Sequence, residues 1–190
     1  MNDADLSDET LMGRFARGDA GAFAALYRRH ELRTWRYLER NVGDRAAAEE
    51  LMQEVWFAVA READRYQPTA RFTTWLFAIA RNRMVDAVRG RRPQVSLDEM
   101  GHEAAPVIGR LTADAGAGPL AAAEARDRAQ ALREALARLP PEQRDALLLQ
   151  LEGDLSVEEV AAITRASFET VKSRLRYART RLRELLSEYA

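Results

Sequence analysis

Cysteine is absent from the 190 residues, which removes disulfide frameworks, thiolate zinc sites and cysteine nucleophiles together. Histidine is nearly absent: His30 and His102 stand far apart, and neither can build a metal site without companions, so each is read as structural or solvated. No apolar run approaches the ~18 residues needed to cross a bilayer, and the opening MNDADLSDET is acidic, without the basic-then-apolar order of a signal peptide. The expectation is a cytoplasmic protein with no catalytic residue, no metal and no cofactor. Net charge is small as well. With 29 Lys and Arg against 30 Asp and Glu the balance is −1, which argues against a generally basic coat for nucleic acid but leaves local patches open.

Helical periodicity fills most of the chain, and strand-like alternation appears nowhere. Ser7 is placed to cap a helix presenting Leu11, Met12 and Phe15, and Gly18-Asp19 supplies a stop and a new start. A second helix carries Phe23, Leu26 and Tyr27. A third runs from about Arg45 to Ala63 with Leu51, Met52, Val55, Trp56 and Val59 on its apolar stripe, and a fourth from about Thr73 to Arg89 with Leu76, Ile79, Ala80, Met84 and Ala87. From Pro93 to about Leu120 prolines, glycines and small residues break the pattern, which reads as a linker. Periodicity then resumes with Leu132, Leu136 and Leu139, a Pro140-Pro141 helix start, and Ala146, Leu147 and Leu151 before Gly153. The expected fold is all-α: two small helical domains, a bundle and a four-helix domain, joined by a flexible linker.

The last 35 residues carry the sharpest signal. Ser156 and Glu159 have capping-box spacing at the start of a short helix that turns Val160, Ala161 and Ile163 inward. Thr164, Arg165 and Ala166 interrupt it, and Ser167 caps a second helix whose stripe runs through Val171, Leu175, Ala178, Leu182, Leu185 and Leu186. Charge is sorted between the two. Arg165 to Arg183 holds seven basic residues and only Glu169 opposing them, whereas Pro140 to Ile163 holds six acids and only Arg144. A helix-turn-helix places the start of its second helix on base edges and later cations on phosphates. The candidate base readers are then Ser167, Glu169, Thr170, Lys172, Ser173 and Arg176, and the candidate phosphate contacts Arg174, Arg179, Arg181 and Arg183. A solvated arginine-rich helix packed on its neighbour is the alternative. The turn lacks the glycine common in this motif, with Arg165 in its place.

The first block has two further candidate faces. Arg81, Asn82, Asp86 and Arg89 share less than half of the fourth helix, with Arg91 and Arg92 beyond, and Tyr66 to Trp75 upstream interleaves aromatics with hydrogen-bonding side chains. Aromatic faces beside a cationic track suit unstacked bases; the alternative is that Phe72, Trp75 and Phe77 are simply core, which is the preferred reading for Trp75 and Phe77, while Tyr66 fits either. The third helix begins acidic: over residues 44–54, Asp44, Glu49, Glu50 and Glu54 are opposed only by Arg45. That pattern fits either a dock for a basic partner helix or a solvated face.

The runs AFAALYRRH (22–30), AAEELMQEVW (47–56), RFTTWLFAIARNRMVDAVRGRR (71–92), LPPEQRDALLLQ (139–150) and ETVKSRLRYARTRLRE (169–184) resemble bacterial sigma-70 family factors of the extracytoplasmic-function group, in the same order over nearly the whole chain. The resemblance implies a lead-in helix at 1–19, region 2 at 20–92, a linker at 93–123 and region 4 at 124–190. It implies an initiation factor that directs core RNA polymerase to bipartite promoters and assists melting, with catalysis left to the polymerase. Its partners would be the β′ clamp helices and β flap of the core, promoter DNA and an anti-sigma factor. Glu49, Glu50, Gln53 and Glu54 fall where region 2 grips the clamp helices. Asn82, with Tyr66 and the Pro68 to Arg71 loop, falls where a flipped minus-10 base is captured, which places Arg71, Arg81, Asp86 and Arg89 on the same face. Lys172, Ser173, Arg176 and Tyr177 match positions that read the minus-35 duplex. Thr164-Arg165 and Phe168-Glu169 depart from the family's usual residues, so promoter preference does not transfer. No further domain is expected after Ala190, and with it no built-in sensor.

About 28 linker residues span roughly 90 Å extended and about 30 Å as a coil, against about 70 Å for two turns of duplex. One chain reaches two such elements only if something larger holds the linker extended. A stand-alone helix-turn-helix regulator, dimeric and bound to a palindrome, is the competing reading. A helical enzyme is a third, although the Glu-x-x-His pairs of di-iron bundles are missing.

Overall fold

The computed structural model describes residues 6–90 and 119–187, the side chains of the second block from 124 onward. Every element among the described residues is helical. α1 (Asp8–Phe15) starts where the Ser7 hydroxyl accepts the Thr10 amide at 3.2 Å. Gly18, at φ 94°, turns the chain so that Asp19 can cap α2 (Ala20–Val42). Asp44 caps α3 (Arg45–Arg61), which passes into a single 3₁₀ turn over Ala63–Arg65 rather than continuing to Ala63. Before α4 (Phe72–Gly90) stands Arg71, whose side chain has no acceptor to offer; the Glu9 carboxylate of α1 accepts the Phe72 amide at 2.9 Å. The central packing of this block joins Leu26, Tyr37, Leu38, Val55, Val59, Phe72, Leu76 and Phe77.

In the second block α5 (Pro119–Ala137) takes in the last five residues of the expected linker, 119–123. The remainder of that linker, with Arg91, Arg92 and His102, lies outside the described residues. α6 (Pro141–Gly153), α7 (Val157–Thr164) and α8 (Phe168–Leu186) follow. α6 corrects the expected apolar face. Leu151 is 58% exposed, whereas the four consecutive residues Ala146, Leu147, Leu148 and Leu149 are all buried. Four residues at 100° each span most of a helix's circumference, so α6 must be covered on two sides. α7 and α8 cover one, and α2 and α4 of the first block cover the other. A single apolar core therefore runs through both blocks, from Phe77 and Tyr37 to Leu148, Leu149 and Leu155. At Gly153 the approach is so close that a Cβ would stand 3.2 Å from the Phe77 ring and 2.9 Å from Leu155.

Candidate nucleic-acid and polymerase interfaces

The turn before the arginine-rich helix forms as its caps dictate. Ser156 Oγ accepts the Glu159 amide at 3.2 Å, and Glu159 Oε2 accepts the Ser156 amide at 2.8 Å. Arg165 ends α7 in the left-handed region, φ 53° and ψ 38°, so an arginine occupies the conformation for which glycine is usual. Ser167 Oγ then takes the Thr170 amide at 3.1 Å and starts α8. Burial of Val171, Leu175 and Ala178 against α6 and α7 fixes the rotation of α8 and turns Lys172, Arg176, Arg179 and Arg183 to solvent. Ser167, Glu169, Thr170 and Tyr177 are exposed beside them; Ser173 and Arg174 are half-buried, and Arg181 faces Glu184 at 3.0 Å. Two aromatic residues steady these cations. Lys172 Nζ lies 6.0 Å from the centroid of Phe168, itself 42% exposed, and the Arg176 guanidinium lies 4.9 Å from the Tyr177 ring while donating to its hydroxyl at 3.2 Å. Arg179 donates to Gln150 Oε1 of α6 at 2.5 Å.

The face expected to meet a melted strand is divided. Asn82, Asp86 and Arg89 are exposed along α4. Arg81 is not free: its Nε donates to Asp145 Oδ2 at 2.7 Å and its Nη1 to the Ile163 carbonyl at 3.3 Å, both in the second block. Arg71 also turns toward the second block. It donates to both Glu159 oxygens at 3.2 Å and to the Asp154 carbonyl. Tyr66 is half-buried, edge-on to Trp75 at 5.0 Å and to Phe72 at 6.2 Å, with its hydroxyl enclosed and without a hydrogen-bond partner among the described residues. Burial, then the charges of Glu9 and Asp8, push that phenol up to about 12. Phe72 and Phe77 are fully buried and belong to the core, while Trp75 is half-buried beside Tyr66.

On α3 the acidic residues Glu49, Glu50 and Glu54 and the amide Gln53 are all exposed, Glu49 within 2.9 Å of Arg45 Nε. At 100° per residue Phe57 falls in the middle of that same face, and it is 72% exposed. Beside it an apolar groove is lined by Phe23, Tyr27, Met52, Trp56 and Ala60. Sequence periodicity missed Phe57 because it lies off the buried stripe; an aromatic residue centred on an acidic face was the available signal. Of the two histidines, His30 is buried and its Nε2 lies 2.7 Å from Asp8 Oδ2. Among the described residues no cluster of His, Cys, Asp and Glu could hold a metal, and no helix is long and apolar enough to cross a membrane.

Two family patterns fall on this chain: Sigma-70 region 2 over residues 26–94, and Sigma-70, region 4, over residues 129–182. The chain is 33% identical over 181 residues to the RNA polymerase sigma factor CarQ of Myxococcus xanthus, covering 93% of this chain and 96% of CarQ. It is 33% identical over 188 residues to the ECF RNA polymerase sigma factor RpoE of Cereibacter sphaeroides, covering 97% and 98%. Among solved structures it is similar to the sigma factor RpoE in complex with the anti-sigma factor NepR from Bartonella quintana. The TM-score is 0.63 at 28% identity, over 81% of this chain and 89% of that one.

Proposed function

The chain belongs to the extracytoplasmic-function group of RNA polymerase sigma factors, initiation factors that direct the polymerase to promoters, and from that membership we propose how its surfaces divide the work. Region 4 reads the minus-35 duplex. Ser167, Thr170, Lys172, Ser173, Arg176 and Tyr177 lie at the start of α8, where a recognition helix meets base edges, and Arg174 and Arg179 lie where it meets phosphates. Region 2 holds the melted minus-10 strand along α4, with Asn82 as the base contact, Tyr66 at the edge of the pocket, and Arg71, Arg81, Asp86 and Arg89 around it. The acidic face of α3, Glu49, Glu50, Gln53 and Glu54, docks on the β′ clamp helices with Phe57 as its apolar anchor. The β flap holds region 4. The chain carries no covalent chemistry of its own, works in the cytoplasm and is held in check by an anti-sigma factor.

The observation that carries this reading is the rotation of α8. Its buried stripe leaves a run of cations facing outward from a capped helix-turn-helix, with no acid but Glu169 among them before Glu184. The test is run-off transcription by core polymerase on promoter fragments, with and without the chain. Transcripts that appear only with it, and that Asn82→Ala reduces at the open-complex step while core binding holds, support the assignment. Duplex binding without any dependence on core would favour a stand-alone regulator.

A further inference from the structure

Region 4 closes directly onto region 2, and it does so with carboxylates against the arginines of the minus-10 face. Asp145, on α6, is buried; it accepts the Tyr37 hydroxyl at 2.7 Å as well as Arg81 Nε at 2.7 Å. Glu159, on α7, accepts Arg71 at 3.2 Å and the Thr74 hydroxyl at 2.5 Å. A third pair, Arg40 Nη1 to Glu152 Oε1 at 2.5 Å, sits on the same stripe of α6 as Asp145, seven residues on. Glu159 sets both its oxygens before the Arg71 guanidinium, as a phosphate would; before Arg81 one Asp145 oxygen and the Ile163 carbonyl do so together. In the proposed reading of region 2, Arg71 and Arg81 are strand contacts, so both are occupied by the chain itself. Two promoter elements two turns apart lie about 70 Å from one another, whereas here α6 and α7 touch α4. The closed chain therefore has to open to engage both.

Resting on the minus-10 assignment, we propose that region 4 is an intramolecular decoy for the promoter strand: without polymerase, Asp145 and Glu159 stand in for phosphates and keep Arg71 and Arg81 from nucleic acid. Ionic contacts suit a reversible latch. A buried ion pair commonly stabilises no more than a well-packed apolar pair would, and on opening each charge regains water, so closure is switched by whatever pulls the two regions apart. Neutralising Asp145 penalises only the closed form, where Arg81 stays largely enclosed; neutralising Glu159 takes from the half-exposed Arg71 its partner in that form.

The test uses the full chain, whose lack of cysteine lets a spin-labelled pair be introduced at exposed Asp64→Cys and Glu142→Cys. The unlocking variant is Asp145→Asn with Glu159→Gln, since glutamine preserves the capping box. Arg40→Gln is a second, lying away from the minus-10 face. Free wild-type chain should give one narrow distance, and both variants a broader, longer distribution. If the open form is about 1–10% populated in the wild type, the unlocked double variant should bind a fluorescent random-sequence 12-nucleotide single strand at least about tenfold more tightly. Adding Arg71→Ala and Arg81→Ala to it should remove the gain. A narrow distance retained in both variants would overturn the latch and leave the minus-10 assignment standing, because open-complex formation by the holoenzyme tests those arginines separately. Opening without any gain in strand binding would overturn the decoy and count against the assignment of Arg71 and Arg81 themselves.

Discussion

At Arg165 the chain accepts a left-handed backbone, φ 53° and ψ 38°, without a glycine, on an exposed residue. An L-residue there costs about 1 kcal/mol, partly balanced by the greater unfolded-state freedom of glycine. Arg165→Gly should therefore stabilise the chain by roughly 0.5 kcal/mol, read as a higher urea midpoint at unchanged slope. Glu159 shows how much one side chain can be asked to do. Burial raises its carboxyl, but the Thr74 hydroxyl, the Ser156 amide and Arg71 outweigh that and hold it below its ordinary value of 4.5. Asp8 is likewise held down, burial being outweighed by His30 and Arg29. A depressed carboxyl binds fewer protons folded than unfolded, so its contribution is present above the unfolded value and is lost as pH falls through the folded one. Stability should decline below about pH 4.5. In Glu159→Gln the decline should be shallower, so that the two urea-denaturation curves converge as pH drops; parallel curves would show that Glu159 plays no part. The capping half of this role was legible in the spacing of Ser156 and Glu159. The Arg71 half was not, because its partner is 88 residues away.

Single helices were read well where their neighbours lie on one side and poorly where they lie on two. α8 has one apolar stripe, and Val171, Leu175 and Ala178 are buried on it as their spacing requires. α6 is enclosed between α8 and α2, so no single stripe describes it, and the residue that periodicity turned inward, Leu151, faces solvent. α1 was legible as a helix but not as a cap for another. Leu11 and Met12 are fully buried, Asp8 binds Arg29 and His30, and Glu9 supplies the acceptor that α4 lacks at Phe72. Loss of a helix-capping acceptor costs about 1 kcal/mol. Glu9→Ala should lower stability by that amount and, by loosening the start of α4 beside Tyr66, slow open-complex formation more than it weakens core binding. Thermal melting and a promoter-melting assay with holoenzyme check the two effects.

Across the whole molecule, family, helix content and order of the two regions were legible, since local periodicity and five matching runs carry them. Docking of one region onto the other was not. Its contacts join residues 64 to 112 positions apart, Arg81 with Asp145 and Arg40 with Glu152, and read locally Arg81 is simply a cation free for nucleic acid. Salt distinguishes the two fates. The closed interface is ionic at its edges but apolar at its centre, where Phe77 and Tyr37 share a core with Leu148 and Leu149, and apolar burial is not screened by salt. The outward cations of α8 are fully subject to screening, and binding to duplex falls with the logarithm of salt in proportion to the phosphates neutralised. A compact chain of this length has a radius of gyration of about 16 Å. Small-angle scattering of the free chain should stay close to that value between roughly 0.1 and 0.5 M salt, while duplex affinity measured over the same range drops by about 10²-fold or more. A radius that expands in step with the loss of DNA binding would mean that ion pairs alone hold the regions together, and that the shared apolar core is not what keeps region 4 in place.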